Sequence, residues 1–212
     1  MMKVVVLKEG VHTATDDVPA GYSRGVSPIC SSVTLIKAER EGEKNILVDT
    51  GYTGYEDEIL GKLKEEGLGP EDIELIINTH EHFDHCANNH LFPRAKKIVD
   101  ILQWNTDQSI YVFKSFDSIN IQDGVEIIAT PGHKKPHCSV VIRTEDCIYV
   151  VAGDIITKNF IVFPYETEEK IESALKVLEI GDVIIPGHGP IIQKDDFQEV
   201  RKKIYKTTGG LG

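Results

Sequence analysis

The chain has 212 residues, of which 41% are hydrophobic and 27% are charged, and its formal net charge is −11 at pH 7. These values are ordinary for a soluble globular protein, and the length is enough for a large domain with its own core. No apolar run approaches a membrane span of about 20 residues, so we expect no membrane partner. The acidity of the chain disfavours a broad nucleic-acid surface, so a nucleic-acid partner is possible but disfavoured.

The first segment, 1–9, is predicted to form a strand. Its apolar core is too short for a signal peptide, and no small-residue cleavage site follows it. The four cysteines, at positions 30, 86, 138 and 147, show no paired Cys-x-x-Cys spacing. We therefore expect free thiols and a cytoplasmic location.

The rest of the chain alternates strand patterns with helical ones. The predicted strands are 3–9, 31–38, 44–49, 73–79, 95–101, 125–129, 138–144, 146–152 and 182–185. One predicted helix has an apolar face at 59–63, a second begins at an N-cap Thr167, and a third runs from Asp195 to about Tyr205. This order predicts α/β layering, and with no linker or repeat we predict a single domain over 1–212.

The string His80-Glu81-His82-Phe83-Asp84-His85 directly follows the predicted strand 73–79. Imidazole nitrogens and a carboxylate suit a borderline divalent ion such as Zn²⁺. In an extended chain His80, His82 and Asp84 face one side, and His85 joins them if the chain turns helical at Asp84. The string therefore predicts a metal site at the end of this strand.

Three further ligand-type residues follow later predicted strands. They are His133 in Thr-Pro-Gly-His, Asp154 in Ala-Gly-Asp and His188 in Pro-Gly-His-Gly-Pro. Open sheets place ligands in the crevice at strand ends, and Gly or Pro marks each of these positions as a turn. One shared site explains the four loop ends better than four separate structural roles.

With these motifs the chain resembles the metallo-β-lactamase superfamily over nearly its whole length. The family order begins with Asp49-Thr50-Gly51, followed by the 80–85 string and the three later residues. The resemblance implies a four-layer αββα sandwich, with a carboxylate of Asp49 orienting a ligand histidine. It implies one metal on His80, His82 and His133, and a second on Asp84, His85 and His188, with Asp154 bridging them. Asp84 is also interpreted as a catalytic residue.

Several residues near the string allow two interpretations. Cys86-Ala87-Asn88-Asn89 departs from the small, glycine-containing residues of many relatives, which leaves the pocket floor open. Cys86 is either a reactive thiol or extra ligand, or a buried small hydrophobe. His137 resembles a histidine that supports the fold in the family, with a ligand role as the alternative. His12 and His90 are predicted to lie on the surface.

Three lysines lie beside the ligand loops. Lys134 and Lys135 follow His133, and Lys158 lies four residues after Asp154. Basic side chains around a metal site favour an anionic substrate. The alternative is that all three are ordinary surface lysines.

The features that separate branches of the family favour its short, single-domain group. Hydroxyacylglutathione hydrolases have a helical domain after the residue that corresponds to His188, where this sequence has about two dozen residues. Quorum-signal lactonases have a Tyr shortly after the residue that corresponds to Asp154, and flavodiiron proteins carry Glu where His82 stands, and neither feature is found here. The resemblance implies two divalent ions, Zn²⁺ with Fe or Mn as alternatives, that activate a bridging hydroxide. The predicted substrate is a small ester, thioester, lactone or phosphoester. An RNA-cleaving phosphodiesterase and an iron-bearing redox protein are the alternatives, and the oligomeric state is left open.

Overall fold

The computed structural model describes residues 2–12, 29–99, 102–104, 110–112, 117–160 and 168–208. The strands are β1 (Lys3–Lys8), β2 (Val11–His12), β3 (Ile29–Cys30), β4 (Val33–Lys37), β5 (Ile46–Val48), β6 (Leu75–Asn78), β7 (Lys96–Val99), β8 (Leu102–Trp104), β9 (Ile110–Val112), β10 (Ser118–Gln122), β11 (Val125–Ala129), β12 (Cys138–Arg143), β13 (Ile148–Gly153), β14 (Val183–Pro186) and β15 (Ile192–Gln193). The helices are α1 (Glu56–Glu65), α2 (Phe83–Cys86), α3 (Glu168–Ile180) and α4 (Phe197–Thr208), with short 3₁₀ turns at Pro70–Asp72, Ala87–Leu91 and Lys194–Asp196.

Two large sheets carry the fold. The first has the order β1-β4-β5-β6-β7-β8-β9 and the second has the order β10-β11-β12-β13-β14-β15, while β2 and β3 form a separate ribbon. Pairing is parallel between β5, β6 and β7 and between β13 and β14, and antiparallel elsewhere. Parallel neighbours end at the same edge of a sheet, so the loops after β13 and β14 lie together at one edge of the second sheet, while the loop after β6 lies at an edge of the first.

Three apolar layers hold the two sheets and the helices together. Strand residues alternate between them: Ile46 and Val48 face the second sheet, whereas Leu47 faces α1. In the second sheet, Val140 and Ile142 face the first sheet, and Val141 packs with α3 and α4. Both faces of the central strands are therefore apolar, and the layers follow the order α-β-β-α. This confirms the predicted αββα sandwich.

The long predicted elements are confirmed, and the short ones were missed. All nine predicted strands correspond to observed strands, and the three predicted helices correspond to α1, α3 and α4. Five of the missed strands have two or three residues, too few for a clear alternation of side chains, whereas β10 was missed although its five residues alternate. Thr167 and the end of the 95–101 segment lie outside the described residues. Within the described part of the chain, none of the helices is both long enough and apolar enough to cross a bilayer.

Candidate metal centre

The histidine-rich string turns sharply after its strand. β6 ends at Asn78, the chain bends over 79–81, and α2 begins at Phe83. The predicted extended form of 80–84 is therefore wrong, because the helical turn starts one residue before Asp84. His82 keeps an extended backbone at the start of α2, with φ −63° and ψ 142°.

The first cluster contains the side chains of His80, His82, His133 and Asp154. Nε2 of His80 lies 2.8 Å from Nδ1 of His82, and Nε2 of His133 lies 3.3 Å from the same Nδ1 atom. Ligand nitrogens around a tetrahedral zinc ion stand about 3.3 Å apart, given Zn–N distances of about 2.0–2.1 Å. One ligand atom from each of the four residues lies within 4.8 Å of the others, so the cluster has the size of a metal site.

The second cluster contains Asp84 and His85 of α2 and His188 from the loop after β14. Oδ2 of Asp84 lies 3.1 Å from Nε2 of His188 and 3.5 Å from Nε2 of His85. All three residues are buried, and their ligand atoms also lie within 4.8 Å of one another. The residues that sequence reasoning assigned to two metal sets are thus grouped in the same two sets in space.

The carboxylate of Asp154 lies between the two clusters. Its Oδ1 is 3.3 Å from Nε2 of His85 in the second cluster. Its Oδ2 is 3.4 Å from Nε2 of His133 in the first cluster and 3.5 Å from Nε2 of His188 in the second. A single carboxylate group therefore faces ligand atoms of both clusters.

Opposite charges shift the ionisation of the clustered groups. Burial opposes the charge on Asp154, but the positive rings of His188 and His85 outweigh it and hold the pKa of this carboxyl well below its usual range. Burial likewise opposes charge on His188, yet Asp154 and Asp84 raise its pKa to about 9. For His80, burial and the nearby charge of His85 lower the pKa. In the protein alone, His85 and His188 of the second cluster therefore hold protons on nitrogens that would otherwise bind a cation, whereas the pKa of His80 in the first cluster is lowered.

Asp49 fixes the orientation of the His85 ring. Its Oδ2 accepts a hydrogen bond from Nδ1 of His85 at 2.8 Å, and its two oxygens also accept from the backbone N–H and the hydroxyl of Thr79. Asp49 is fully buried and adopts a left-handed backbone with φ 57°, which Asp tolerates better than most residues. Because Nδ1 of His85 is held by Asp49, its Nε2 is the atom turned towards Asp154.

Two buried atoms at the centre have no hydrogen-bond partner: Nε2 of His85 and Oδ1 of Asp154. Burial opposes charge on His85, but Asp154 and Asp49 raise its pKa, so the ring carries a proton on Nε2 as well as on Nδ1 in the protein alone. Once Nε2 loses that proton, it and Oδ1 of Asp154 are both acceptors 3.3 Å apart, and they repel each other unless a cation lies between them. A divalent ion would satisfy both. The residues present therefore fit the metal that the ligand pattern predicts.

Close backbone approach at two glycines allows this geometry. A Cβ on Gly187 would lie 2.1 Å from Oδ1 of Asp154, and a Cβ on Gly153 would lie 2.7 Å from Nε2 of His137. Gly153 also has φ +54°, in the left-handed region. Any larger residue at Gly187 would push the His188 loop away from Asp154.

The N-terminal segment closes over the His188 loop. Nδ1 of His188 donates to the carbonyl of Val11 at 3.2 Å, which leaves Nε2 for the cluster. The ring of His12 contacts the ring of His188 edge-on, with centroids 5.2 Å apart. The prediction that His12 lies on the surface is therefore wrong, because it is half-buried against a candidate ligand far along the chain. His90 is exposed, as predicted.

The three candidate substrate lysines all pair with carboxylates. Lys134 lies 2.6 Å from Glu81, Lys135 lies 2.7 Å from Glu169, and Lys158 lies 2.8 Å from Asp196. Each positive charge therefore has a matching negative charge beside it, which weakens the attraction of these lysines for an anion.

The segment after the string forms a polar floor. Nδ2 of Asn78 donates to the carbonyl of His85 at 2.9 Å, and Nδ2 of Asn89 donates to Oδ1 of Asn78 at 2.7 Å. Thr50 completes this network through Oδ1 of Asn89 at 2.8 Å. The sulfur of Cys86 donates to the carbonyl of His82 at 3.3 Å, so its thiol faces the backbone. These amides hold the segment 86–89 against β6 and Thr50, a role that the sequence did not indicate.

Phe83 is the other residue that sequence reasoning overlooked. Its side chain is 78% exposed although it lies between His82 and Asp84 in the chain. Phe83 is therefore an exposed aromatic side chain that directly adjoins two candidate ligands in the sequence.

Comparison with known proteins gives a consistent result. The model of a family described as the metallo-beta-lactamase superfamily matches residues 29–189. Metallo-beta-lactamase domain-containing protein 1 of Xenopus laevis is 33% identical over 185 residues, which cover 80% of this chain and 77% of that protein. A protein of Methanocaldococcus jannaschii named as a probable metallo-hydrolase is 36% identical over 157 residues, covering 71% of this chain and 73% of its own.

Solved structures share the fold at lower identity. A metallo-beta-lactamase candidate from Thermotoga maritima superposes with a TM-score of 0.66 at 22% identity, over 91% of this chain and 99% of that one. The subclass B3 enzyme BJP-1 of Bradyrhizobium japonicum gives a TM-score of 0.55 at 16% identity, over 85% and 87%. At these identities the structures support the fold and nothing finer.

Proposed function

Since this chain belongs to the metallo-beta-lactamase superfamily and is a metal-dependent hydrolase, we propose that it holds two divalent ions and cleaves a small ester, thioester, lactone or phosphoester. The first ion would be held by His80, His82 and His133. The second would be held by Asp84, His85 and His188, with Asp154 shared between the two. Zn²⁺ is the proposed metal, because nitrogen and carboxylate ligands in a tetrahedral set suit it.

The position of Asp154 is the observation that carries this proposal. Two separate ions would need two independent sets of ligands, but here one carboxylate lies within 3.5 Å of nitrogens in both clusters. A shared carboxylate keeps two ions close together. Ions about 3.5–4 Å apart supply an activated water at neutral pH and polarise the oxygen of the scissile group.

The chain's own residues prepare the site for that chemistry. Asp49 holds the Nδ1 proton of His85, and the Val11 carbonyl holds that of His188, so both rings present Nε2 to the centre. This fixes tautomer and ring direction before any ligand arrives. We propose Asp84 as the catalytic residue, because Oδ2 faces the same space as the ligand nitrogens and accepts a proton or a hydrogen bond there.

The proposed substrate is a small molecule rather than a polymer. The formal net charge of −11 repels a polyanion over most of the surface, and Lys134 and Lys135 are paired with carboxylates. The exposed ring of Phe83 favours a substrate with an apolar part. These properties are compatible with a neutral or singly charged ester, thioester, lactone or phosphoester.

A substrate panel tests the proposal. Protein is stripped with a chelator, reloaded with Zn²⁺, Mn²⁺ or Fe²⁺, and assayed on chromogenic esters, thioesters, lactones, phosphodiesters and a labelled RNA. We expect turnover of at least one small-molecule class, restored best by Zn²⁺ and absent in the stripped protein. Activity on RNA alone would replace the proposal with the nuclease alternative. Metal content dominated by iron, without hydrolysis of any substrate, would favour the redox alternative.

A further inference from the structure

A closed chain of hydrogen bonds lies directly behind Asp154. The backbone N–H of Asp154 donates to Nε2 of His137 at 3.3 Å, and Nδ1 of His137 lies 3.0 Å from the hydroxyl of Thr130. That hydroxyl lies 2.8 Å from the hydroxyl of Ser139, which donates to the carbonyl of Ala152 at 3.3 Å. This series of hydrogen bonds begins at the backbone of Asp154 and returns to Ala152, two positions before it.

In each of these hydrogen bonds the donor and the acceptor can be assigned. At one end stands an amide, which only donates, and at the other stands a carbonyl, which only accepts. The single proton of Ser139 is used on Ala152, so Thr130 donates to Ser139 and must accept from Nδ1 of His137. The Nε2 atom of His137 then has no proton and accepts the amide of Asp154. The tautomer follows from both ends independently.

These hydrogen bonds connect three neighbouring strands near their ends. Thr130 follows β11, Ser139 lies in β12, and Ala152 lies in β13. The side chains of Thr130, His137 and Ser139 are at most 2% exposed, so water does not compete for these bonds. The left-handed Gly153 that turns the chain into Asp154 packs against Nε2 of His137, where a Cβ would come within 2.7 Å.

We propose that His137 is a positioning residue, which through its unprotonated Nε2 fixes the backbone of Asp154 and so aims its carboxylate at both clusters. This inference rests on the proposed metal centre. His137 would contact no ion, because its Nε2 is already used by the Asp154 amide and its Nδ1 by Thr130. The loss of such a supporting partner typically weakens metal affinity by about 10–100-fold.

Two substitutions at position 137 separate the acceptor from the bulk of the ring. In His137→Gln the amide oxygen occupies the place of Nε2, so it still accepts from Asp154. In His137→Asn the amide nitrogen occupies the place of Nδ1, so the bond to Thr130 is kept and the bond to Asp154 is lost. The metal affinity of each stripped protein is measured by competition with a chromophoric chelator, and each stripped protein is also melted without metal.

We expect His137→Gln to bind both ions within about threefold of the wild type and His137→Asn to bind the weaker ion about 10–100-fold less tightly. If His137 had a purely structural role, the two stripped variants would have equally lowered melting temperatures and would bind metal with the same affinity. Equal affinity in the wild type and His137→Asn would overturn the inference, as would an equal loss in both variants.

Thr130 supplies a second test that does not alter the ring. Thr130→Val removes the acceptor for Nδ1 at nearly constant shape, and Thr130→Ser keeps it. We expect weaker metal binding in Thr130→Val and near wild-type binding in Thr130→Ser; identical binding in the two would contradict the proton chain. The wild-type protein is measured first. If it binds no ion, the proposed metal centre is wrong and this inference fails with it.

Discussion

Asp154 is the residue on which the whole centre depends, because its two oxygens face different clusters. Replacing it by Asn keeps the shape and removes the negative charge that would balance two cations. We expect Asp154→Asn to lose the second ion and to lower turnover by about 100-fold or more, as for removal of one electrostatic group at a reacting centre.

The measurement for Asp154→Asn is metal content by elemental analysis, together with turnover and far-ultraviolet circular dichroism. The dichroism spectrum should stay like that of the wild type. Asp57→Asn, an exposed carboxylate in the first turn of α1, is the matched control and should change none of these values. Full activity with both ions retained in Asp154→Asn would show that this carboxylate is not shared.

The raised pKa of His188 predicts a proton release. Burial opposes its charge, but Asp154 and Asp84 raise the pKa to about 9 from an ordinary 6.5, so the ring in stripped protein is protonated at neutral pH. Metal binding needs the neutral ring, and the proton must leave. In the stripped protein, the stability from this charged ring is complete below pH 6.5 and is lost as the pH rises through about 9.

Calorimetry in two buffers of different ionisation enthalpy measures this release. We expect about one proton per chain from His188 when Zn²⁺ binds near pH 7, and none from this ring at a pH clearly above about 9. Burial also opposes charge on His85, but Asp154 and Asp49 raise its pKa, so a second proton adds to the total. Heat that is independent of the buffer near pH 7 would contradict the prediction.

At the residue scale, the sequence revealed candidate ligands better than it revealed their supports. His80, His82 and His85 are close together in sequence, and His133 and His188 stand beside Gly and Pro at predicted strand ends. Supports such as Asn89, His12 and the Val11 carbonyl have no such mark. Their roles depend on loops that meet only after both sheets have packed, which no local pattern encodes.

At the scale of elements, α3 holds the loop that carries His133. The hydroxyl of Ser173 in α3 donates to the carbonyl of Pro131 at 2.7 Å. A Cβ on Gly132 would lie 2.1 Å from the backbone nitrogen of Lys170, and Gly132 has φ +131°. The loop therefore rests directly on the first turn of the helix.

Gly132→Ala should separate this loop from the helix. We expect a loss of about 2–4 kcal/mol in the free energy of unfolding, from backbone strain plus overpacking, and weaker binding of the ion held by His133. Gly42→Ala is the control, because Gly42 also has a positive φ but no atom within 4 Å of the added Cβ. It should cost about 1–2 kcal/mol and leave metal binding unchanged. Equal effects of the two substitutions in urea unfolding would show that the contact with α3 is unimportant.

The longest strands and helices are the elements whose period is clearest in the sequence. β12 and β13 have six residues each, and α3 has thirteen, so apolar alternation or a helical stripe is visible. The two-residue strands β2 and β3 have no period, and pairing between distant segments alone defines them. The start of α2 was missed by one residue because its position follows from the bend at 79–81 rather than from a capping signal.

At the scale of the whole molecule, charge is the property that bears on the substrate. The chain carries 34 acidic and 23 basic residues apart from histidine, and Lys134 and Lys135 are paired with acidic neighbours. Such a surface has few cations to exchange for the counterions of a polyanion. Each phosphate contact adds about 0.7–0.9 to the slope of log affinity against log salt, so the slope reports how many phosphates a protein neutralises.

We therefore predict that KM for an active small substrate depends weakly on salt, with a slope below about one. The double substitution Lys134→Ala/Lys135→Ala should change KM little, because Glu81 and Glu169 already balance these charges. Lys62→Ala, which removes an exposed lysine of α1, is the control for a general loss of positive charge. KM is measured across a salt series in the three proteins, with a small ester and with RNA. A steep slope with RNA that disappears in the double variant but not in the control would show that Lys134 and Lys135 bind phosphates despite their partners. That result would make a polyanion, rather than a small ester, the substrate of this site.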